Sequence, residues 1–346
     1  MNRQEAADSE FPVAPRELKI ELTGACNLRC QFCYLEAGDG QAAGQLPEDD
    51  VFRWIEWAVD SRLLAVRFTG GEPTLHPRLK VFCGYARLRG RFVILNTNGL
   101  AAAELYRELF PLVDDVRISL PLLDSRRLDD LTGGRHVLER KLACIQQALS
   151  AGVRRVTLLT PLLPENHGRL EAFLELAQSS PRLHWLPLRY EPTPQVPRPW
   201  TRGDAQAFAE EMAALLERYP GQTPGIILAV PFCAVSPTSL GARVFHGRAR
   251  DCGPYTSLHV NARGRLQACC CVREELAEGP RAAGTLAEVR ALPEFRAVCC
   301  RTRLPEECQR CPHVMRCGGG CRQSAGLVQH RGKSIDYLAG FADEIR

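Results

Sequence analysis

Cysteines at short spacings are the residues of this chain best suited to bind metal. The chain has sixteen cysteines, and three of them, Cys26, Cys30 and Cys33, fall within eight residues. Thiolates are soft ligands that hold zinc or iron-sulfur clusters. Structural zinc takes four ligands, and no fourth Cys or His lies close by in sequence. The triad therefore favours a four-iron cluster with one open iron, and zinc is the alternative.

A second motif, Thr69-Gly70-Gly71-Glu72-Pro73, follows a predicted strand. Glycines let a backbone approach a ligand because no Cβ stands in the way. A carboxylate beside them can pair with an ammonium group. Alone, the motif is equally typical of a turn. Its place at the carboxyl end of a strand favours a binding site, because the sites of α/β barrels form at that edge.

The elements that must position these residues alternate between apolar runs of strand length and helical patterns. Strands are predicted at residues 17–23, 65–69, 92–97, 116–120, 154–159 and 184–189. Helices are predicted at residues 47–59, 77–88, 137–151, 170–178, 204–219 and 286–298. Such alternation implies parallel strands joined by crossovers. The predicted fold is α/β, a partial (β/α)6 barrel followed by a small Cys-rich α+β domain.

Composition shifts suggest three parts of the chain. Residues 1–16 carry acidic residues without an apolar run, so they are predicted to form a flexible tail and not a secretion signal. Residues 17–220 are predicted to form the barrel, which ends near a proline-rich stretch. Residues 221–346, dense in Cys and Gly, are predicted to form the second domain.

Charge and composition exclude several classes of protein. With 45% hydrophobic and 24% charged residues the chain is typical of a globular protein. The net charge of +4 is small and scattered, so no nucleic-acid partner is expected. No apolar run approaches the ~18 residues of a membrane span, so a cytoplasmic protein without a membrane partner is expected. Without an export signal, metal ligation is a better interpretation of the cysteines than disulfides.

The cysteine triad and the Gly-Gly-Glu-Pro segment together resemble the CxxxCxxC loop and GGEP motif of the radical SAM superfamily. The resemblance implies that Cys26, Cys30 and Cys33 hold a 4Fe-4S cluster whose open iron binds S-adenosylmethionine. It also implies that Tyr34 contacts the adenine of the cofactor and that Gly70, Gly71 and Glu72 contact the methionine ammonium. Two further residues are implied to lie near the cofactor: Ser119 at the end of the fourth strand and Asn98 after the third. For Asn98 a plain Asn-Gly turn is an equal alternative.

The C-terminal cysteines carry a second resemblance. They follow the spacings C-x11-G-x4-C and C-x2-C-x5-C-x3-C, which resemble the SPASM extension of radical SAM enzymes. The resemblance implies a first auxiliary cluster on Cys252, Cys269 and Cys321, and a second on Cys308, Cys311 and Cys317. Zinc knuckles are the alternative, because C-x2-C is also typical of zinc sites.

The ligand set of these auxiliary sites is incomplete. No cysteine follows Cys321, where the family usually has a seventh, so either one or two auxiliary clusters are expected. The candidates for the remaining ligands are Cys233, His246, Cys270, Cys271, Cys299 and Cys300. Cys233 has three interpretations: a cluster ligand, a catalytic hydrogen donor that returns a hydrogen atom to a substrate radical, or a buried core residue.

The resemblance implies an enzyme that cleaves S-adenosylmethionine reductively to a 5′-deoxyadenosyl radical, with electrons from a flavodoxin or ferredoxin. The predicted substrate is a small polar natural product, such as a sugar, aminocyclitol or nucleoside. The expected outcome is epimerisation, dehydrogenation or decarboxylation in natural-product or antibiotic biosynthesis. The tail before the first strand is short for a leader-peptide domain, so a SPASM-type peptide or protein maturase is the alternative. A non-catalytic iron-sulfur electron carrier is the second alternative.

Overall fold

The structure is a computed structural model of the chain. It describes residues 15–33, 35, 44–190, 192–193, 195–196, 199–220, 226–227, 230–242, 249–250, 256–270, 274–299, 304–317, 319–321, 328–330 and 333–335. Within these ranges, no helix has the length and apolar character needed to cross a membrane.

A parallel sheet of six neighbouring strands forms the centre of the fold. The strands are β1 (Glu17–Glu21), β2 (Ala65–Thr69), β3 (Phe92–Thr97), β4 (Asp115–Ser119), β5 (Arg155–Pro161) and β6 (Leu183–Leu188). They lie side by side in chain order, and each pairs in parallel with the next. The sheet does not close on itself, which confirms the predicted α/β fold with an incomplete barrel.

Further strands extend this sheet at both edges. At one edge lie β7 (Ile226–Ile227) and β8 (Ala249–Arg250), which continue the parallel pairing. At the other lie β9 (Ser257–Val260), β10 (Leu266–Gln267) and β11 (Glu275–Ala277). Strand β9 pairs in parallel with β1, and β10 and β11 follow antiparallel. One sheet therefore continues across the predicted boundary near residue 220, and the domain division stays a prediction. A separate hairpin joins β12 (Val328–His330) to β13 (Lys333–Ile335).

Helices follow most of the central strands. They are α1 (Glu48–Asp60), α2 (Leu79–Leu88), α3 (Ala103–Leu109), α4 (Ser125–Thr132), α5 (Val137–Ser150), α6 (Glu171–Gln178) and α7 (Arg202–Arg218). The C-terminal region adds α8 (Pro280–Ala283), α9 (Leu286–Ala291), α10 (Pro293–Cys299), α11 (Glu306–Gln309) and α12 (Val314–Cys317).

The predicted helix at residues 286–298 is two helices. Helix α9 ends at Ala291 and α10 begins at Pro293. Proline has no N–H to donate and restricts the residue before it to extended conformations. Leu292 accordingly has φ −59° and ψ 134°, so the continuous helix predicted there is wrong.

Successive side chains of a strand point to opposite faces of the sheet, and β1 shows this alternation. In β1, Leu18 and Ile20 are fully buried in the hydrophobic core, while Lys19 lies on the other face. The C-terminal region joins the same core through Leu258 and Val260 of β9. Apolar burial therefore holds this region to the barrel, in addition to any metal it binds.

Candidate active site

The loop that follows β1 carries the cysteine triad and is fixed to helix α4 through its backbone. Arg29 N donates to Thr132 O at 2.9 Å, and Gln31 N donates to Leu131 O at 3.0 Å. Cys26, Cys30 and Cys33 are all partly exposed, so the loop holds three accessible thiols at the carboxyl edge of the sheet.

The glycine pair lies directly against this loop. Gly71 N donates to Thr23 O at 2.7 Å. A Cβ at Gly70 would lie 2.3 Å from Thr23 O, and one at Gly71 would lie 2.2 Å from Ala25 O. Gly70 also has φ +137°, which L side chains rarely adopt. Both positions therefore require glycine, because the backbone of the cysteine loop fills the space that a side chain would need.

The Glu72 carboxylate is completely buried and accepts several hydrogen bonds. The backbone N–H of Glu72 donates to Ala25 O at 2.8 Å, which is a second hydrogen bond to the cysteine loop. Oε1 accepts from Thr74 N, Thr74 Oγ1 and Thr97 Oγ1 at 3.1, 2.7 and 2.8 Å, and Oε2 accepts from Asn98 N at 2.6 Å. A carboxylate offers about four lone-pair sites. Groups of the protein therefore occupy most of the hydrogen-bonding capacity of Glu72.

Asn98 links the end of β3 to the cysteine loop. Its Nδ2 donates to Asn27 Oδ1 at 2.6 Å and lies 4.0 Å from Cys26 Sγ. Its Oδ1 accepts from Leu100 N at 3.0 Å. Asn98 thus forms the local Asn-Gly turn and also contacts the cysteine loop, whereas its contact with the cofactor stays a prediction.

Lys141 of α5 is a buried cation in contact with Asn98 that sequence analysis did not identify. Its Nζ donates to Asn98 O at 2.6 Å and to Ser119 O at 2.8 Å. The lysine therefore joins the carboxyl ends of β3 and β4. Ser119 contributes its carbonyl to this contact. A sequence signal exists: Lys141 falls on the buried stripe of α5, between Val137 and Cys144 at helical spacing.

Burial shifts the titration of the groups around the site. It raises the pKa of the Cys30 thiol to about 12 and also raises the pKa of Cys26. It lowers the pKa of Lys141 to about 8, against the opposing effect of the nearby Cys30 and Glu72. Desolvation penalises the charged form in each case. A positive metal centre would offset this penalty for the thiolates.

The structure brings most of the predicted cofactor residues to one edge of the sheet. Cys26, Gly71, Glu72 and Asn98 are connected by the contacts above. Tyr34 lies outside the described residues. Among the residues that are described, no group of three or more His, Cys, Asp or Glu side chains is spaced to hold a metal ion.

The auxiliary cysteines are described in part. Cys269, Cys270, Cys308, Cys311, Cys317 and Cys321 are partly exposed, and Cys233 is exposed. The interpretation of Cys233 as a buried core residue is therefore wrong. Four other predicted ligands, Cys252, Cys271, Cys300 and His246, lie outside the described residues, and so does the side chain of Cys299.

Comparison with known sequences identifies the family of the first region. Residues 20–177 match the model described as the Radical SAM superfamily. The chain is 33% identical over 217 residues to a GTP 3′,8-cyclase of Corynebacterium glutamicum, covering 59% of this chain and 56% of that protein. It is 30% identical over 165 residues to a probable GTP 3′,8-cyclase of Saccharolobus islandicus, covering 47% and 53%. The chain thus spans about half the length of these curated relatives.

Solved structures share the fold over nearly the whole chain. Streptococcus suis SuiB bound to S-adenosylmethionine has a TM-score of 0.73 at 16% identity, over 96% of this chain and 80% of that one. Native anSMEcpe with bound AdoMet and Kp18Cys peptide has a TM-score of 0.69 at 16% identity, over 94% of each chain. Residues 20–177 therefore contain a radical SAM domain, and the chain as a whole shares the fold of these solved structures.

Proposed function

We propose that this enzyme cleaves S-adenosylmethionine reductively and uses the resulting 5′-deoxyadenosyl radical to take a hydrogen atom from a substrate carbon. The observation that carries the proposal is the pair of backbone hydrogen bonds from Gly71 and Glu72 to Thr23 and Ala25. These bonds join the Gly-Gly-Glu motif to the cysteine loop. The two motifs that the family needs in one place are therefore adjacent here.

The donor set fits a 4Fe-4S cluster with an open iron. Cys26, Cys30 and Cys33 supply three thiols from one loop, and cysteine thiolates are the usual ligands of such clusters. The bound cluster would supply one electron to the cofactor and a site for its amino-acid group. The chain's own backbone hydrogen bonds position the loop, and the Lys141 ammonium lies against Asn98, which contacts that loop.

The proposed roles of the cofactor residues follow from their surroundings. Gly70 and Gly71 present backbone close to the loop, where a ligand's ammonium group can meet carbonyl oxygens. Glu72 holds Asn98 and Thr97 in place through its two oxygens. Direct contact of Glu72 with the ammonium, and the contacts of Tyr34 and Ser119 with the cofactor, stay predictions.

The proposed reaction begins with the transfer of one electron to the cofactor and of one hydrogen atom from the substrate. One electron from a flavodoxin or ferredoxin breaks the sulfur–carbon bond of the cofactor, giving methionine and the 5′-deoxyadenosyl radical. That radical takes a hydrogen atom from a carbon of the substrate, which leaves 5′-deoxyadenosine and a substrate radical. Loss of an electron and a proton from the substrate radical would then give dehydrogenation, and return of a hydrogen atom to the opposite face would give epimerisation. Cleavage of a carbon–carbon bond with release of carbon dioxide would give decarboxylation.

For the substrate we favour a small polar molecule such as a nucleoside, sugar or aminocyclitol, acted on in natural-product or antibiotic biosynthesis. The curated relatives support this class, because they are named for a nucleotide, GTP. A peptide is the second candidate. The specific observation in its favour is the fold shared with SuiB, which has been solved with a precursor peptide, over 92% of this chain.

The first experiment is anaerobic reconstitution followed by dithionite, S-adenosylmethionine and quantification of 5′-deoxyadenosine by mass spectrometry. The comparison is a Cys26→Ala, Cys30→Ala, Cys33→Ala triple variant. The control is Cys83→Ala, which removes a thiol from the apolar core on α2. Product from the parent and control but not from the triple variant supports the proposal. A cluster-loaded parent that forms none, with or without candidate substrates, contradicts it and favours the electron carrier.

A second experiment separates the substrate classes. Candidate nucleosides, sugars and peptides are prepared with deuterium on carbon and incubated with the enzyme under the same conditions. Deuterium in the 5′-deoxyadenosine identifies the class from which hydrogen is taken. Transfer from a peptide alone would contradict the small-molecule proposal.

A further inference from the structure

A short helical turn brings Cys233 out of the core near the C-terminal cysteines. Residues Phe232–Ala234 form a 3-10 helix, closed by a hydrogen bond from Ala234 N to Pro231 O at 2.9 Å. Phe232 and Ala234 are 5% and 4% exposed, whereas Cys233 between them is exposed. The two neighbours therefore anchor the turn in the protein, and the thiol projects away from that anchor.

This turn packs against helix α12, which is distant in sequence. Phe232 N donates to Cys317 Sγ at 3.4 Å. The ring of Phe232 also lies 5.9 Å from that of His313, centroid to centroid. Phe232, the residue immediately before Cys233, thus contacts the predicted auxiliary ligand Cys317 directly. The contact spans 85 residues of sequence, so tertiary structure alone creates it.

The thiols of Cys308, Cys311 and Cys317 share this locality with Cys233. Successive backbone turns join the three C-terminal cysteines: Cys311 N donates to Cys308 O and Val314 N donates to Cys311 O, each at 3.1 Å, and Cys317 N donates to His313 O at 2.8 Å. The contact between Phe232 N and Cys317 Sγ brings the turn that carries Cys233 to this segment. The segment at residues 230–242 therefore adds one exposed thiol beside the three partly exposed thiols of residues 304–317. Four thiolates in one place require a cation, which a metal centre between them would supply.

We propose that Cys233 is the fourth thiolate ligand of an auxiliary iron-sulfur cluster held by Cys308, Cys311 and Cys317. Four cysteine thiolates complete the usual ligand set of a 4Fe-4S cluster, so this cluster has no open iron. A sulfur bound to iron carries no S–H bond. Cys233 is therefore a metal ligand and not the hydrogen donor of the reaction. The inference rests on the proposed function only for the iron-sulfur nature of the metal.

Thiol protection tests the proposal without a substitution. The apo-protein and the anaerobically reconstituted protein are each treated with iodoacetamide, and alkylation of Cys233 is quantified by peptide mass spectrometry. We expect Cys233 to react readily in the apo-protein, because it is exposed. In the reconstituted protein its alkylation should fall at least tenfold, together with that of Cys308, Cys311 and Cys317. Equal alkylation of Cys233 in both forms would overturn the proposal.

Iron content supplies an independent readout that does not depend on the first cluster. The Cys26→Ala, Cys30→Ala, Cys33→Ala variant is used as the background, so that the remaining iron belongs to auxiliary sites. Adding Cys233→Ala should remove between one and four irons per chain and change the electron paramagnetic resonance spectrum. Cys233→Ser should weaken iron retention less. Because Cys233 is exposed, neither change leaves a cavity in the core.

Thr238→Ala in the same background is the matched control, because Thr238 is exposed in the same segment as Cys233 and has no thiol. We expect it to retain the iron that Cys233→Ala loses. Full retention of iron in the Cys233→Ala variant, or an equal loss in the Thr238→Ala variant, would overturn the proposal. A background that binds no iron at all would also overturn it. None of these measurements depends on cleavage of S-adenosylmethionine. A negative result here can therefore be distinguished from a failure of the proposed function.

Discussion

The ammonium of Lys141 lies 2.6 Å from the carbonyl oxygen of Asn98, a residue whose side chain contacts the loop that carries Cys26, Cys30 and Cys33. Its second acceptor is Ser119 O, so one buried charge connects the ends of two neighbouring strands. Asn98 in turn contacts the loop through Asn27 and Cys26. The lysine can therefore affect the site through the position of Asn98 as well as through its charge.

Lys141→Met should reduce 5′-deoxyadenosine formation about tenfold, a change worth about 1.4 kcal/mol in the barrier. The substitution keeps the volume but removes the charge and both hydrogen bonds. Its effect on the free energy of unfolding should be small, because relief of a buried charge offsets two carbonyls left unpaired. Rates are normalised to bound iron. Leu142→Met, on the more exposed side of the same helix, should match the parent; an equal loss there would contradict the role of Lys141.

Glu72→Gln should destabilise the apo-protein by on the order of 2 kcal/mol, since a buried N–H or hydroxyl that loses its acceptor costs about 1–3 kcal/mol. An amide group has only one accepting oxygen, whereas both carboxylate oxygens accept hydrogen bonds here. Urea denaturation measures the change. Glu104→Gln, at an exposed position on α3, is the control and should be neutral. Similar stabilities of the two variants would show that the Glu72 contacts are weak.

Gly71→Ala should abolish most cofactor cleavage, with a fall of more than tenfold in 5′-deoxyadenosine. The added methyl group would lie 2.2 Å from Ala25 O, so the cysteine loop must move away from the end of β2. Binding of S-adenosylmethionine should weaken in parallel, measured by equilibrium dialysis. Gly203→Ala is the matched control, because its Cβ would meet nothing closer than Thr201 Oγ1 at 3.5 Å. Unchanged binding in Gly71→Ala would show that the loop adapts.

Asp115 should make the stability of the barrel depend on pH. Burial alone would raise the pKa of this carboxyl, but the Arg117 and Arg155 guanidiniums beside it lower it below 3.8. A depressed folded-state pKa stabilises the protein above the unfolded value, and that contribution disappears as pH falls through the folded pKa. The parent should therefore lose its advantage over Asp115→Asn as pH drops below about 3.8.

At pH 7 the Asp115→Asn difference should be on the order of 3 kcal/mol. The Arg155 side chain is 41% exposed, so part of its contribution is screened by solvent. Guanidinium denaturation of the apo-protein at pH 7 and at pH 3 measures both values. Asp60→Asn, an exposed control at the end of α1, should show no such pH-dependent difference. A difference that stays constant between the two pH values would contradict the prediction.

Local sequence patterns determined much of this protein. The spacing of Cys26, Cys30 and Cys33 identifies the cysteine loop, and alternation predicts β2 (Ala65–Thr69) and β3 (Phe92–Thr97) to the residue. Such features involve residues close together in sequence, where side-chain periodicity directly reflects the backbone. The short helices α3 and α4 were not predicted, because their amphipathic patterns are brief and packing stabilises them.

Tertiary structure decided the rest, because it depends on contacts between distant residues. Nothing local indicates that β9 pairs with β1, or that the chain continues one sheet into its C-terminal region. The same holds for Lys141, whose partners follow two separate strands. The contact between Phe232 and Cys317 likewise brings Cys233 to the C-terminal thiols. Sequence indicates which residues can bind metal, but folding selects which of them meet, because the ends of parallel strands converge only in the assembled sheet.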